Sequence, residues 1–192
     1  MGQAPMKTRR ANSRDRILAA AADVARETGP GSLSLDAVAS RAGVSKGGLL
    51  YNFPTKAKLM QGLVEDYLKA FEQALESRTA EASGETPLEA YIRLSANDCE
   101  EPQPSASWIF SAIAEDPDFL TPIKSFKRQL FERLKGETND LKALLVCFLA
   151  IEGLRSMNLF DSDVLSKDER ELLVASLLEI AGSPDAAQAP AT

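Results

Sequence analysis

The sequence contains no histidine, and its two cysteines, Cys99 and Cys147, stand far apart. Serine acylation through an imidazole base is therefore excluded, and zinc and most transition-metal sites lack their usual ligands. One disulfide would be a weak framework for 192 residues, so both cysteines read as reduced, partly buried thiols and the expected location is cytoplasmic. Long apolar runs are missing too. The longest, Ala143 to Ile151 between Lys142 and Glu152, falls well short of the roughly 20 residues of a membrane span and reads as a buried core helix. The basic N-terminus has no apolar stretch of the secretory kind. There is no glycine-rich phosphate cradle. Acidic pairs such as Glu100-Glu101 and Glu115-Asp116 read as caps and solvated faces. No enzyme activity, cofactor, metal or membrane association is expected.

What is present is helical and unevenly charged. Up to Lys58 there are ten Lys/Arg against four Asp/Glu, and from Leu59 onward twelve against twenty-four, so a net charge of −6 conceals a basic head on an acidic body. A basic head of this kind suits a polyanionic partner. Val, Ile and Thr never alternate with period two, and breakers recur at helix-length intervals. Nine helices are expected, in an all-α fold. Ser13 opens the first, whose stripe is Ile17, Ala21, Val24, Ala25 and Thr28 and which Gly29-Pro30-Gly31 stops. Ser34 caps Leu35–Ala42, Ser45 caps a helix to about Phe53, and Thr55 starts a long helix from Lys56 to about Ala82. Further helices are placed near 87–99, 105–115, 118–135, 139–160 and 166–181. The resulting organisation is a disordered basic arm (1–12), a three-helix unit (13–55), a larger helical unit (56–182) and a disordered tail (183–192).

The informative stretch runs from Ser34 to Lys58. Two short helices meet at Ala42-Gly43-Val44-Ser45. Gly43 supplies the open conformation that a tight helix–helix corner needs, and Val44 can plug the space between the helices. Gly43-Val44-Ser45-Lys46-Gly47 also satisfies the G-x-S-x-G nucleophile elbow. That motif requires a preceding strand and a histidine base, and this sequence offers neither. Gly47 and Gly48 cost the following helix roughly 1 kcal/mol each relative to Ala, which points to a close approach of its backbone to the polyanionic partner.

Ala39 to Lys56 resembles the DNA-binding signature of the TetR/AcrR family of bacterial transcriptional regulators, typically A-x-x-A-G-V-S-K-G-x-L-Y-x-x-F-x-x-K. Ala39, Ala42, Gly43, Val44, Ser45, Lys46, Gly47, Leu49, Phe53 and Lys56 stand where the pattern asks. Leu50 departs from it by replacing the usual Tyr, with Tyr51 following, and Asn52 stands where His is common. The resemblance implies a helix-turn-helix in which Lys46, Tyr51, Lys56 and Lys58 contact phosphates. Ser34, Ser45, Gly47, Gly48 and Asn52 complete the expected DNA-binding set, while Leu49 and Phe53 read as core.

The same resemblance implies a homodimer on a near-palindromic operator, with heads roughly 34–36 Å apart, and a small-molecule effector that releases it. Dimer candidates are Leu145 and Phe148 on the eighth helix and Leu173, Leu177 and Ile180 on the ninth. Aromatics concentrate between, so the expected pocket includes Tyr67, Phe71, Tyr91, Asn97, Trp108, Phe110 and Phe126, with Asp98 or Arg93 as further polar groups. On this reading 13–55 is the DNA-binding domain and 56–182 the effector-binding and dimerisation domain. A ligand in the body tilts the long helix from Lys56 and changes the spacing of the heads. Operator affinity constant over a panel of small hydrophobic and cationic molecules would remove support for the sensing role. The alternative reading is an all-helical interaction module whose basic head docks an acidic protein.

Overall fold

The computed structural model describes residues 13–80, 84–98, 107–160 and 162–182. The expected arm and tail, Cys99, Glu100, Glu101 and the side chain of Trp108 lie outside the described residues. Among those residues there are nine α-helices and no strand. They are α1 (Ser13–Thr28), α2 (Leu35–Ala42), α3 (Lys46–Asn52), α4 (Lys56–Ala80), α5 (Pro87–Asp98), α6 (Ser107–Glu115), α7 (Thr121–Gly136), α8 (Leu141–Leu159) and α9 (Lys167–Ala181). The sequence reading did not anticipate the single 3₁₀ turn Pro30–Ser32 between α1 and α2. Gly29 enters it at φ 78°, and Pro30 occupies its first position.

Helix starts follow from short-range chemistry. The Ser34, Ser45 and Ser166 hydroxyls accept backbone N–H groups of α2, α3 and α9, and Asp140 accepts two from α8. Thr86 and Glu89 close a capping box on α5, with Pro87 at the first helical position, where its missing N–H costs nothing. Each such cap contributes about 1 kcal/mol.

The chain divides into two compact units, Met1–Leu63 and Val64–Thr192, and the division falls inside α4. In the first unit, Ile17, Leu18 and Val24 of α1 are buried together with Val38, Leu49, Phe53 and Leu59. Gly62 is the tightest point. A Cβ there would stand 2.9 Å from Phe53 Cε1 and 3.0 Å from Leu18 Cδ2, so α4 can lie this close only without a side chain. Arg14 covers Phe53 from the other element, its guanidinium carbon 5.4 Å from the ring centroid.

The second unit is organised around Tyr91 of α5, which is fully buried. Its ring stacks on Phe148 of α8 at 5.5 Å and meets Phe71 of α4 edge-on at 6.3 Å. Phe131 of α7 in turn edges onto Phe148 at 5.2 Å. The Tyr91 hydroxyl donates to Glu152 Oε1 at 3.0 Å, and Lys127 pairs with the other Glu152 oxygen. Burial, reinforced by the Glu152 charge, raises the Tyr91 phenol far above its ordinary pKa, so it remains a neutral donor. Cys147 lies beside this core, its thiol pushed up to about 11 by burial.

Replacing Gly62 by alanine forces Phe53 or Leu18 off its position. We expect Gly62→Ala to destabilise the N-terminal unit by about 1–3 kcal/mol, the cost of overpacking a filled site. A lower urea midpoint at unchanged slope is the expected reading; an unchanged midpoint would remove the interlock.

Candidate nucleic-acid interface

The corner between α2 and α3 is built from backbone. Gly43 adopts φ 63° and ψ 39°, a left-handed conformation that strains any residue with a Cβ. Its N–H bonds to Ser40 O at 3.2 Å and that of Val44 to Ala39 O at 3.0 Å, which closes a Schellman motif on α2. Two carbonyls left over at the helix end, those of Ala42 and Gly43, are taken by the Arg16 guanidinium of α1. Sequence reasoning missed Arg16, because 27 positions separate it from Gly43 and no local spacing links them.

Ser45 then restarts the chain as a helix, its Oγ accepting Gly48 N–H at 3.0 Å. Leu49 and Phe53 turn inward and are buried. On the other side Ser45, Lys46, Gly47 and Tyr51 face solvent, and Tyr51 is 89% exposed. An aromatic ring held that far into water contributes nothing to the core. Gly47 is likewise unexplained from within, since the nearest atom to a Cβ there would be 4.0 Å away. Gly48 is tighter, with Ser45 Oγ at 3.3 Å.

The remaining expected contacts are engaged inside the protein. Lys46 Nζ pairs with Asp36 of α2 at 3.0 and 3.1 Å from its two oxygens, an exposed pair of small energetic weight. Asn52 folds back, its Nδ2 donating to Gly48 O at 2.8 Å. Lys56 Nζ donates to Gly31 O at 2.8 Å and so ties the start of α4 to the 3₁₀ turn. Lys58 Nζ donates to Gln61 Oε1 at 3.1 Å, while its N–H is capped by Thr55 at the same distance. Ser34 spends its hydroxyl on the α2 cap. Arg41 forks onto Glu27 at 2.5 and 2.8 Å, and that hydrogen bond holds the Glu27 carboxyl below its ordinary range.

In the second unit the expected pocket residues disperse. Tyr91 and Phe71 fill the core, because large rings there bury more area than they could by lining a cavity. Tyr67 is exposed and joined to Asp98 and Arg155, and Phe110 is exposed beside Phe160 at 6.0 Å. Among the described residues of that set Asn97, with Arg93, lines the larger cavity, of about 860 Å³, on α4, α5, α8 and α9, while Phe126 lines a smaller one of about 200 Å³ with Leu75 and Leu130. Among the expected dimer residues, Phe148 and Leu177 belong to the core of the chain itself, Leu173 is half-buried, and Leu145 and Ile180 are exposed. Leu141, Val146, Leu149 (65% exposed) and Leu172 (68%) extend that apolar surface.

Comparison with known proteins gives a consistent pattern. Residues 17–63 match the model of bacterial regulatory proteins of the tetR family, and residues 85–182 match the tetracyclin repressor-like C-terminal domain. By fold the chain is similar to the multidrug binding protein EbrR complexed with proflavin, with TM-score 0.59 at 18% identity over 88% of this chain and 99% of that one. It is similar to the fatty acid degradation regulator FadR from Bacillus halodurans, with TM-score 0.55 at 17% identity over 97% and 100%. A transcriptional regulator from Aquifex aeolicus VF5 aligns with TM-score 0.53 at 21% identity over 88% and 96%. No curated protein matches the chain by sequence.

Two glycines four residues apart are expected to respond with opposite signs. Gly43→Ala should cost about 1–2 kcal/mol through its left-handed backbone, whereas Gly47→Ala should add up to about 1 kcal/mol of helix propensity. Denaturant midpoints of the two variants check this; a shift of the same sign in both would contradict the corner geometry.

Proposed function

The chain belongs to the tetR family of bacterial regulatory proteins, and from that premise we propose that it is a dimeric, ligand-released repressor of a near-palindromic operator. The observation that carries the reading is the outward face of α3, with its solvent-held Tyr51 and a glycine the fold itself does not require. In this reading α3 enters the major groove. Its bare backbone at Gly47 approaches the duplex, and Tyr51 and Lys46 reach phosphates. Lys46 exchanges Asp36 for a phosphate when it does so, and the basic balance up to Lys58 supplies the long-range attraction.

One seven-residue helix reads too few bases to define an operator, so a second copy is required. The apolar surface of Leu141, Leu145 and Leu149 on α8 with Leu172 and Ile180 on α9 is the face we assign to it. Gly153 continues the α8 row at the same spacing, and a Cβ there would meet nothing within 4 Å. A glycine inside a helix, costly and without an internal reason, fits a crossing point where a second helix comes close. The effector binds in the second unit and acts through α4, which runs unbroken from Lys56 to Ala80. A complete switch requires about a 10⁴-fold preference of effector for the released state.

The test is binding to an operator selected from random duplexes, followed by anisotropy across a salt series. Lys46→Gln is expected to weaken binding and lower the salt slope by about one. Asp36→Asn should strengthen binding, since it removes both a competing partner and a like charge. Affinity indifferent to salt, with capture by an acidic protein instead, would sink the DNA reading. Separately, Leu149→Glu is expected to give a folded monomer by sedimentation, and Gly153→Leu to weaken the dimer; dimers of undiminished strength in both would reject this face.

A further inference from the structure

The larger cavity of the second unit has a charge character opposite to that of the region around it. Beyond Leu59 the chain carries twelve Lys/Arg against twenty-four Asp/Glu. Among the described residues the cavity wall presents Arg78, Arg93, Lys167 and Arg170 with Asp163 and Glu171. Arg170 pairs with Asp163 and Lys167 with Glu171, so the surplus of positive charge rests on Arg78 and Arg93. Arg78 and Arg93 share one further carboxylate, Glu85, which is itself only 12% exposed. Arg78 reaches it through Nε at 2.5 Å and a terminal nitrogen at 3.2 Å, and Arg93 through Nε at 2.8 Å. Two guanidiniums bring about ten N–H donors, and one carboxylate offers about four lone-pair sites. Glu85 therefore neutralises one of the pair and leaves room for a second anion.

The floor of the cavity is apolar, formed by Leu154 of α8 and by Val174 and Leu178 of α9. An inorganic anion would use the guanidiniums and leave that floor wet; a purely apolar molecule would leave the guanidinium pair unmatched. On α9, Lys167, Glu171, Val174 and Leu178 fall on one helical face, whereas Leu172, Ser176 and Ile180 fall roughly opposite. A second copy seated on the apolar face of α9 would therefore not cover the α9 residues that line the cavity.

We propose that this cavity binds an organic carboxylate whose head lies between Arg78 and Arg93 and whose apolar body covers Leu154, Val174 and Leu178. This deepens the regulatory reading and rests on it only for the claim that the occupant is the effector. Arg78 sits in the last turn of α4, so the bound carboxylate engages the helix that begins at Lys56.

The experiment is calorimetric titration of the full-length protein with three probes of equal chain length: octanoate, 1-octanol and octylammonium. Octanoate is expected to bind saturably and at least ten-fold more tightly than the other two. Arg93→Gln and Arg78→Gln should each lose ten-fold or more of that affinity. Glu85→Gln, which removes the internal competitor, should gain at least three-fold, and Arg128→Gln on the exposed face of α7 should change nothing. Circular dichroism verifies that each variant is folded; should Arg78→Gln fail to fold, the opposite signs of Arg93→Gln and Glu85→Gln decide. No saturable binding of octanoate, equal binding of the three probes, or indifference to Arg93→Gln and Glu85→Gln would overturn the proposal. Octanoate that binds as expected but leaves operator affinity unchanged would leave the site standing and reject its role as the effector site. Intact operator binding with no octanoate binding would reject the site alone.

Discussion

The left-handed corner at Gly43, roofed by Arg16, is the constraint on which the rest of the head depends. Two short helices have little intrinsic stability, for helices under about 12 residues are marginal in water. Their orientation survives because the carbonyls that end α2 are satisfied in two ways. The Schellman bonds take Ala39 and Ser40, and a guanidinium from α1 takes Ala42 and Gly43. Satisfying them fixes where Ser45 starts α3, and therefore which side of α3 Leu49 buries and which side Tyr51 exposes.

Much of this head was legible in the sequence because its determinants are local. Ser34, Gly43 and Ser45 each mark a helix boundary through groups within four residues of themselves, and the structure places α2 at the expected Leu35–Ala42. The same rules located the start of α4 through Thr55, and α9 begins at Lys167, within a residue of the expected 166. What local rules cannot supply is a partner at long range. Arg16 above Gly43, Lys56 on Gly31 and the Gly62 interlock with Leu18 each join residues more than 20 positions apart. Nothing close to Gly62 in the sequence shows that a neighbour excludes its Cβ.

The second unit was legible as helices and much less so as a site. Aromatic density marks where large side chains gather, but not whether they line a space or fill it; Tyr91, Phe148 and Phe71 fill it. The cavity instead draws its charge from Arg78 of α4 and Arg93 of α5; Arg93 is among the expected polar groups, whereas no local spacing links Arg78 to it. Their common position follows from tertiary packing alone. A similar difficulty applies to the apolar surface of α8, a helix so apolar all round that periodicity cannot separate the side facing Tyr91 from the side facing solvent.

The fit of Gly62 against Phe53 and Leu18 has a mechanical meaning. Surfaces meeting at this distance cannot slide or roll past one another without opening a void or a clash. The opening turns of α4 are thereby welded to α1 and α3 as one rigid piece. Any bend of this long helix is therefore kept out of the turns around position 62.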